Sequence, residues 1–356
     1  MSAPSAVPDR APLRMALIMS AAASMLIGLN AGLTRLAVPA PVDSVELGTR
    51  HGPIMVFGFM GSLIALERAQ ALRNPLAYLA PALMSLGALA LAIGPSPRLG
   101  HILLIDGTLA FTVVVFLLWR RAPVTLVAVQ VLAAVLAALA AAFLFNHEVP
   151  AVIGLLTAFL VITITAERAE LAQLSMGPSA TRVPVVVAAG MSLGAVGSLA
   201  DSEIGARILG ATLLLTCGWL LRDDISRRFI RLDGQRRFLG AALLMGTLWL
   251  AVAGCVWLAR GTGDAAYDTG IHAVFLGFGM SMIMAHAPII FPTVLSRPLP
   301  YRPVMWAPLG MLHVGMVARV VGDLLHLTPL HQTGGIMTVL SMLLFGATAA
   351  YSAARG

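Results

Sequence analysis

Eight histidines punctuate a chain that is otherwise mostly apolar. Two of them open matching stretches, "HGPIMVFG" from His51 to Gly58 and "HAVFLGFG" from His272 to Gly279. In each, a glycine follows the imidazole by seven residues, about two α-helical turns, so on a helix it would lie beneath the histidine on the same face. Two readings of that spacing are open. The glycines could give clearance to a flat ligand gripped by the imidazoles, or they could serve close helix packing, for which glycine is common in membrane helices. Two neutral imidazoles approaching from opposite helices form an axial pair of the kind that holds haem iron. A zinc or copper ion more often takes three or four N, S or O ligands close together, and the sequence around His51 and His272 has no such cluster. Tyr267 and Asp268, just before His272, are candidate partners for fixing the tautomer of its ring.

Other polar residues fall within apolar runs, where each is costly and therefore a functional candidate. Arg319, in "VARVVGDLL", needs an anionic partner; Asp323 one turn on would serve, and so would a haem propionate. His286 lies 14 residues beyond His272, roughly 21 Å along a helix, so one metal cannot be shared by both. His286, His313, Glu67 and Glu167 would line an inner polar cavity or proton path, or serve as hydrogen-bonded packing residues. Glu67-Arg68 and Glu167-Arg168 end the similar stretches "GSLIALERAQAL" and "VITITAERAELAQL". They could form local ion pairs, snorkel to the interface or mark an internal repeat of the transporter kind. His101 and His147 read as interfacial, and His326 and His331 belong to the last outer loop, where they would either cover a site or stay idle.

The elements that must position these residues are membrane helices. The chain of 356 residues is 59% hydrophobic and 11% charged, with a mean hydropathy of +0.91; a soluble domain of this length would have almost nothing to offer water. At roughly 20 apolar residues per span, about twelve helices are predicted, near 15–35, 47–71, 76–95, 101–119, 123–143, 150–172, 183–200, 204–221, 238–259, 269–292, 303–323 and 333–353. The expected fold is therefore an all-α polytopic membrane bundle, with a cytoplasmic tail over 1–14 and one transmembrane domain over 15–356. The tail "MSAPSAVPDRAPLR" lacks the apolar core and cleavage site of a secretory signal.

All 23 basic residues are arginine, which excludes a retinal Schiff base and other lysine chemistry. Cys217 and Cys255 lie in apolar runs and read as buried packing residues. With the N-terminus in the cytoplasm, Arg35, Arg50, Arg98, Arg207, Arg260 and Arg319 fall at outer or intramembrane positions and the other seventeen fall inside. That asymmetry orients both termini to the cytoplasm and puts most histidines toward the outer face. The formal net charge of +7 thus reflects topology and not nucleic-acid binding. The basic loop "RDDISRRFIRLDGQRR" is a solvated face that could touch anionic membrane lipid.

The layout resembles subunit I of the haem–copper oxidases and nitric oxide reductases. "HGPIMVFGF" is similar to that family's second helix, whose histidine binds the low-spin haem, and "DTGIHAVFLGFGMSMIMAHAPIIFP" to its tenth. The tenth helix of the family carries His-x-His, whereas here it reads Gly270-Ile271-His272, matching only the low-spin ligand. That family's copper site takes a histidine from helix 6 and a His-His pair from helix 7; the seventh helix here, "VPVVVAAGMSLGAVGSLAD", has no histidine, so a copper centre is not supported. The chain also resembles the NnrS-like haem-containing membrane proteins linked to nitric oxide and nitrosative stress. "SRPLPYRPVMWAPLGMLHVGMVARVVGDLL" is similar to that family's "GRPL" stretch and following helix, with Ala318-Arg319-Val320 at the matching position, although the "GHTGRP" lead-in is missing.

These resemblances imply a bacterial-type inner-membrane protein holding a b-type haem (heme b) near the outer leaflet between His51 and His272. They add Arg319 on a propionate, a small gas such as nitric oxide as a partner, and an electron-donor protein that is unknown. The alternative is a haem-free permease whose Glu, His and Arg residues line a substrate path. An intramembrane hydrolase is disfavoured, since no Ser/His/Asp or His-Glu-x-x-His arrangement is present.

Overall fold

The computed structural model describes residues 11–94, 96–295 and 298–355. Arg10, Ser296, Arg297 and the tail before Ala11 lie outside the described residues. Twelve helices are long and apolar enough to cross a membrane: α1 (Ala11–Arg35), α2 (His51–Leu72), α3 (Pro75–Ile93), α4 (Pro97–Arg121), α5 (Thr125–Phe143), α6 (Val149–Leu171), α7 (Ser179–Ala200), α8 (Ser202–Asp223), α9 (Gly234–Arg260), α10 (Ala265–Pro292), α11 (Pro303–Leu324) and α12 (Thr328–Ala354). No strand occurs among the described residues. The protein is an all-α, multi-pass membrane bundle.

Local chemistry sets the helix ends. Proline stands in the first turn of α3, α4, α6, α11 and α12, where its missing N–H has no partner to lose. The Asp201 carboxylate accepts from the amides of Glu203 and Ile204 at 2.9 and 3.0 Å and starts α8. Such a cap contributes about 1 kcal/mol. Arg73 closes α2 in the left-handed region, at φ 58°. Helix 2 begins later than its apolar run suggests: Ser44 caps a separate short helix, Val45–Thr49, and α2 proper starts at His51.

Helix α6 is the axle of the bundle. Every residue from Val152 to Ala166 is buried, as expected for a helix apolar all round. Around it neighbouring helices approach through small residues. An added Cβ at Gly87 of α3 would meet the Leu104 amide of α4 at 2.9 Å, one at Gly205 of α8 would meet Ser198 of α7 at 2.4 Å, and one at Gly334 of α12 would meet the Arg319 amide of α11 at 2.3 Å. Such contacts drive association where lipid removes the hydrophobic incentive. Cys217 is buried, whereas Cys255 is exposed on the bundle's outer surface, so only the first packs inside.

Because crossings alternate, α2, α6 and α10 run in the same direction. Their starts define one end of the bundle, the histidine end, with His51 and His272. Their last turns, with Glu67-Arg68 and Glu167-Arg168, define the arginine end. Helices α2 and α10 share a further feature: each turns π-helical for eight residues, over Ile54–Gly61 and Ala273–Met280, directly after or close below its histidine.

Candidate functional site: two facing imidazoles

The ring centres of His51 and His272 are 6.5 Å apart and their planes differ by 24°. Each ring is held through Nδ1. His51 Nδ1 lies 2.7 Å from the Gly28 carbonyl of α1, and His272 Nδ1 lies 2.9 Å from the Asp268 carbonyl one turn earlier and 3.2 Å from the Asp268 carboxylate. A carbonyl can only accept, so both Nδ1 atoms must carry the proton. The lone pair is then left on Nε2 of each ring, and neither Nε2 has a hydrogen-bond partner among the described residues. A hydrogen bond made by the far ring nitrogen is what fixes the tautomer and orientation of metal-binding histidines. Two metal–imidazole bonds of about 2.0–2.1 Å each, together with the two ring radii, would span about 6 to 6.5 Å with both Nε2 atoms on one ion; the rings stand 6.5 Å apart in a stacked arrangement.

Both rings border a cavity of about 170 Å³ between α1, α2, α6, α10, α11 and α12, walled largely by Leu, Ile, Val, Met and Phe side chains. Met55, Met60 and Met342 in that wall are flexible thioethers that can shift to admit a ligand. Two glycines absent from the sequence reading shape it. A Cβ at Gly32 would sit 3.1 Å from His51 Cε1, and one at Gly335 would sit 2.3 Å from Leu36 and 2.9 Å from an Arg319 nitrogen.

Cations and acids gather at the cavity's end. Arg319, 7% exposed, does not pair with Asp323, one turn on. Its guanidinium instead donates to both oxygens of Asp268, at 3.0 and 3.1 Å. Asp268 thereby fixes Arg319 and His272 together, while Asp323 accepts from the Thr269 hydroxyl at 2.8 Å. Arg35 lines the same cavity and is exposed. His331 also lines it and forms with Asp268 and Asp323 a group whose ligand atoms lie within 4.8 Å of one another. Tyr267 makes no hydrogen bond to His272 among the described residues. His101 packs on Phe145 and His147 on Phe143, and His326 is exposed outside the cavity.

The glycines seven residues on are not beneath the imidazoles. The π turns of α2 and α10 are wider than α turns, so the seven-residue spacing no longer returns to one face. Gly58 is buried where a Cβ would meet Ala88 at 2.3 Å and Ser24 at 3.0 Å, and serves the α1–α2–α3 contact. Gly279 faces Leu160 and Met60 and lines a different cavity.

That second cavity, about 560 Å³, lies at the arginine end between α2, α6, α9, α10 and the α8–α9 loop. Glu67, Glu167 and His286 line it, together with Arg68, Arg168, Glu170 and Asp224. The two Glu-Arg stretches do not pair locally. Arg68 crosses from α2 to Glu167 of α6 at 2.5 Å, and Arg168 reaches Asp224 at 2.8 Å, with both side chains at most 3% exposed. Arg168 also donates to the Thr247 hydroxyl at 3.2 Å, and Gln130 donates to Glu170 at 3.2 Å. Asp224 carries no sequence signal, since its partner is 56 positions away. His286 is held by Nδ1 on the Met282 carbonyl at 2.8 Å. His313 lines neither cavity: Trp249 donates to its Nδ1 at 2.8 Å and Ser281 stands 3.4 Å from its Nε2, so it is a satisfied packing histidine.

No curated protein and no solved structure matches the chain. The model of one family, described as "Domain of unknown function (DUF8744)", matches residues 14–354, which take in every spanning helix and both cavities, and the protein belongs to that family.

Proposed function

We propose that this is a haem-binding integral membrane protein that handles electrons or a small gas such as nitric oxide. His51 and His272 would hold the iron of a b-type haem through Nε2. The observation that carries this reading is the pair of unengaged Nε2 atoms on rings 6.5 Å apart, each locked from behind through Nδ1. The apolar walls suit a macrocycle, and Arg35 at the cavity's end suits a propionate, while Arg319 is engaged by Asp268. When bound, such a haem supplies a one-electron redox centre. The resemblance to NnrS-like proteins and to haem–copper subunit I points the same way. The arginine asymmetry supports a histidine end that faces outward and two cytoplasmic termini, and the resemblance supports a bacterial-type inner membrane.

The test is an optical spectrum of the purified full-length protein, oxidised and reduced, with iron analysis. The expected result is a Soret band with sharp reduced α and β bands, lost in His51→Ala and in His272→Ala. An iron-free preparation that resists haem reconstitution, or either variant retaining full haem, overturns the reading. The larger cavity at the arginine end favours a second reading, a haem-free permease with an acid-lined path. Solute uptake by liposomes holding colourless protein would select it.

A further inference from the structure

Met60 borders both cavities. It is 3% exposed and sits in the π segment of α2, nine residues past His51. Its methyl group lies 3.4 Å from where a Gly279 Cβ would stand, and Leu160 of α6 comes within 3.2 Å of the same point. Met60 thus stands as the partition between the two cavities, packed near Leu160 and Gly279, which line the arginine-end one; the three residues come from three parallel helices. Two of those helices are π-helical at that level, a geometry frequent at functional sites.

Below the partition, the arginine-end cavity holds more carboxylates than guanidiniums: Glu67, Glu167, Glu170 and Asp224 face Arg68 and Arg168. Both arginines are committed to other acids. Glu67 has no hydrogen bond or ion pair among the described residues, and His286, with Nδ1 spent on Met282, presents an open Nε2. A cavity with this excess attracts a cation. The smallest is a proton, and it alone needs no more than a water chain to pass a gap the width of one side chain.

We infer that the two cavities are halves of one proton route, with Glu67 as the carrier at the arginine end and Met60 as the stop between it and the histidine pair. A hydronium ion at the arginine end gives its proton to the Glu67 carboxylate and leaves as water. The carboxylic acid returns the proton to a water chain when Met60 swings aside. Apolar constrictions of this kind gate by excluding water. The inference does not depend on haem.

The experiment uses full-length protein in liposomes with a trapped pH dye and a valinomycin–potassium potential as driving force. Met60→Ala and Met60→Ser should each admit protons several-fold faster than the wild type. Met60→Leu should stay at the wild-type rate, and adding Glu67→Gln to Met60→Ala should return the flux to that baseline. If both small variants, folded by gel filtration and circular dichroism, conduct no faster than the wild type, the route does not exist. Flux indifferent to Glu67→Gln, or sodium entering Met60→Ala as fast as protons, also overturns it. Haem absorbance recorded on the same samples keeps the two proposals apart: colourless protein that still shows Glu67-dependent flux sinks the haem reading alone.

Discussion

The two ends of the bundle meet their buried polar groups differently. At the arginine end, the arginines are answered across helices, Arg68 by Glu167 and Arg168 by Asp224 and Thr247, and among the described residues of that cavity only Glu67 and the Nε2 of His286 are left over. At the histidine end, Asp268 and Arg319 form one such pair, but the imidazoles beside it are oriented and then left with an open nitrogen each. A closed network locks helices together. An open valence fixed from behind is poised to hold something the chain itself does not provide. The contrast separates residues whose loss should unfold the protein from residues whose loss should empty it.

The largest expected effect tests the closed end. Asp224→Ala strands the buried Arg168 guanidinium and should cost about 3–5 kcal/mol, read as a large drop in thermal midpoint in detergent. A variant as stable as the wild type would erase the contrast. Replacing both partners, as in Arg168→Met with Asp224→Leu, should recover much of the loss, since a buried pair often does no better than well-packed apolar residues.

Next comes the open end. His51→Ala removes one hydrogen bond to Gly28, worth about 1 kcal/mol, yet should abolish haem absorbance. Severe unfolding in that variant would mean that the ring is structural. Asp201→Ala, remote from both cavities, should also cost about 1 kcal/mol through the lost helix cap and leave any bound chromophore unchanged; it calibrates the stability scale. The smallest expected effect is Gly32→Ala. Its methyl group would press His51 Cε1 at 3.1 Å and tilt the ring, so haem retention or the reduced spectrum should change while the melting curve hardly moves.

Much of the scaffold was legible because a membrane span needs little information. A run of some twenty apolar residues bounded by Arg, Pro or Gly defines a helix, and the predicted 76–95 and 123–143 fall close to the observed Pro75–Ile93 and Thr125–Phe143. The pairing of His51 with His272 was legible for a related reason. Both stand near the starts of even-numbered helices, so alternation alone brings them to the same end. What stayed hidden depends on contacts between distant segments or on backbone geometry. Arg319 had Asp323 one turn on or a propionate as candidate partners, but helix packing brings in Asp268, 51 positions away. The π segments have no compositional mark, and they displaced Gly58 and Gly279 from the face that an α-helix would give them. Gly32 could not be told from the other glycines until α1 was laid against α2.

The facing imidazoles also set an order of assembly. His272 follows His51 by 221 positions (272 minus 51), and at about 5–20 residues per second a ribosome takes roughly 10–45 s to cross that interval. Throughout it, α2 resides in the membrane without the imidazole that comes to face its own. Under the proposed function, a haem could be clasped only once α10 is threaded in, so loading would come late, and a nascent chain arrested after α9 should emerge membrane-inserted but colourless.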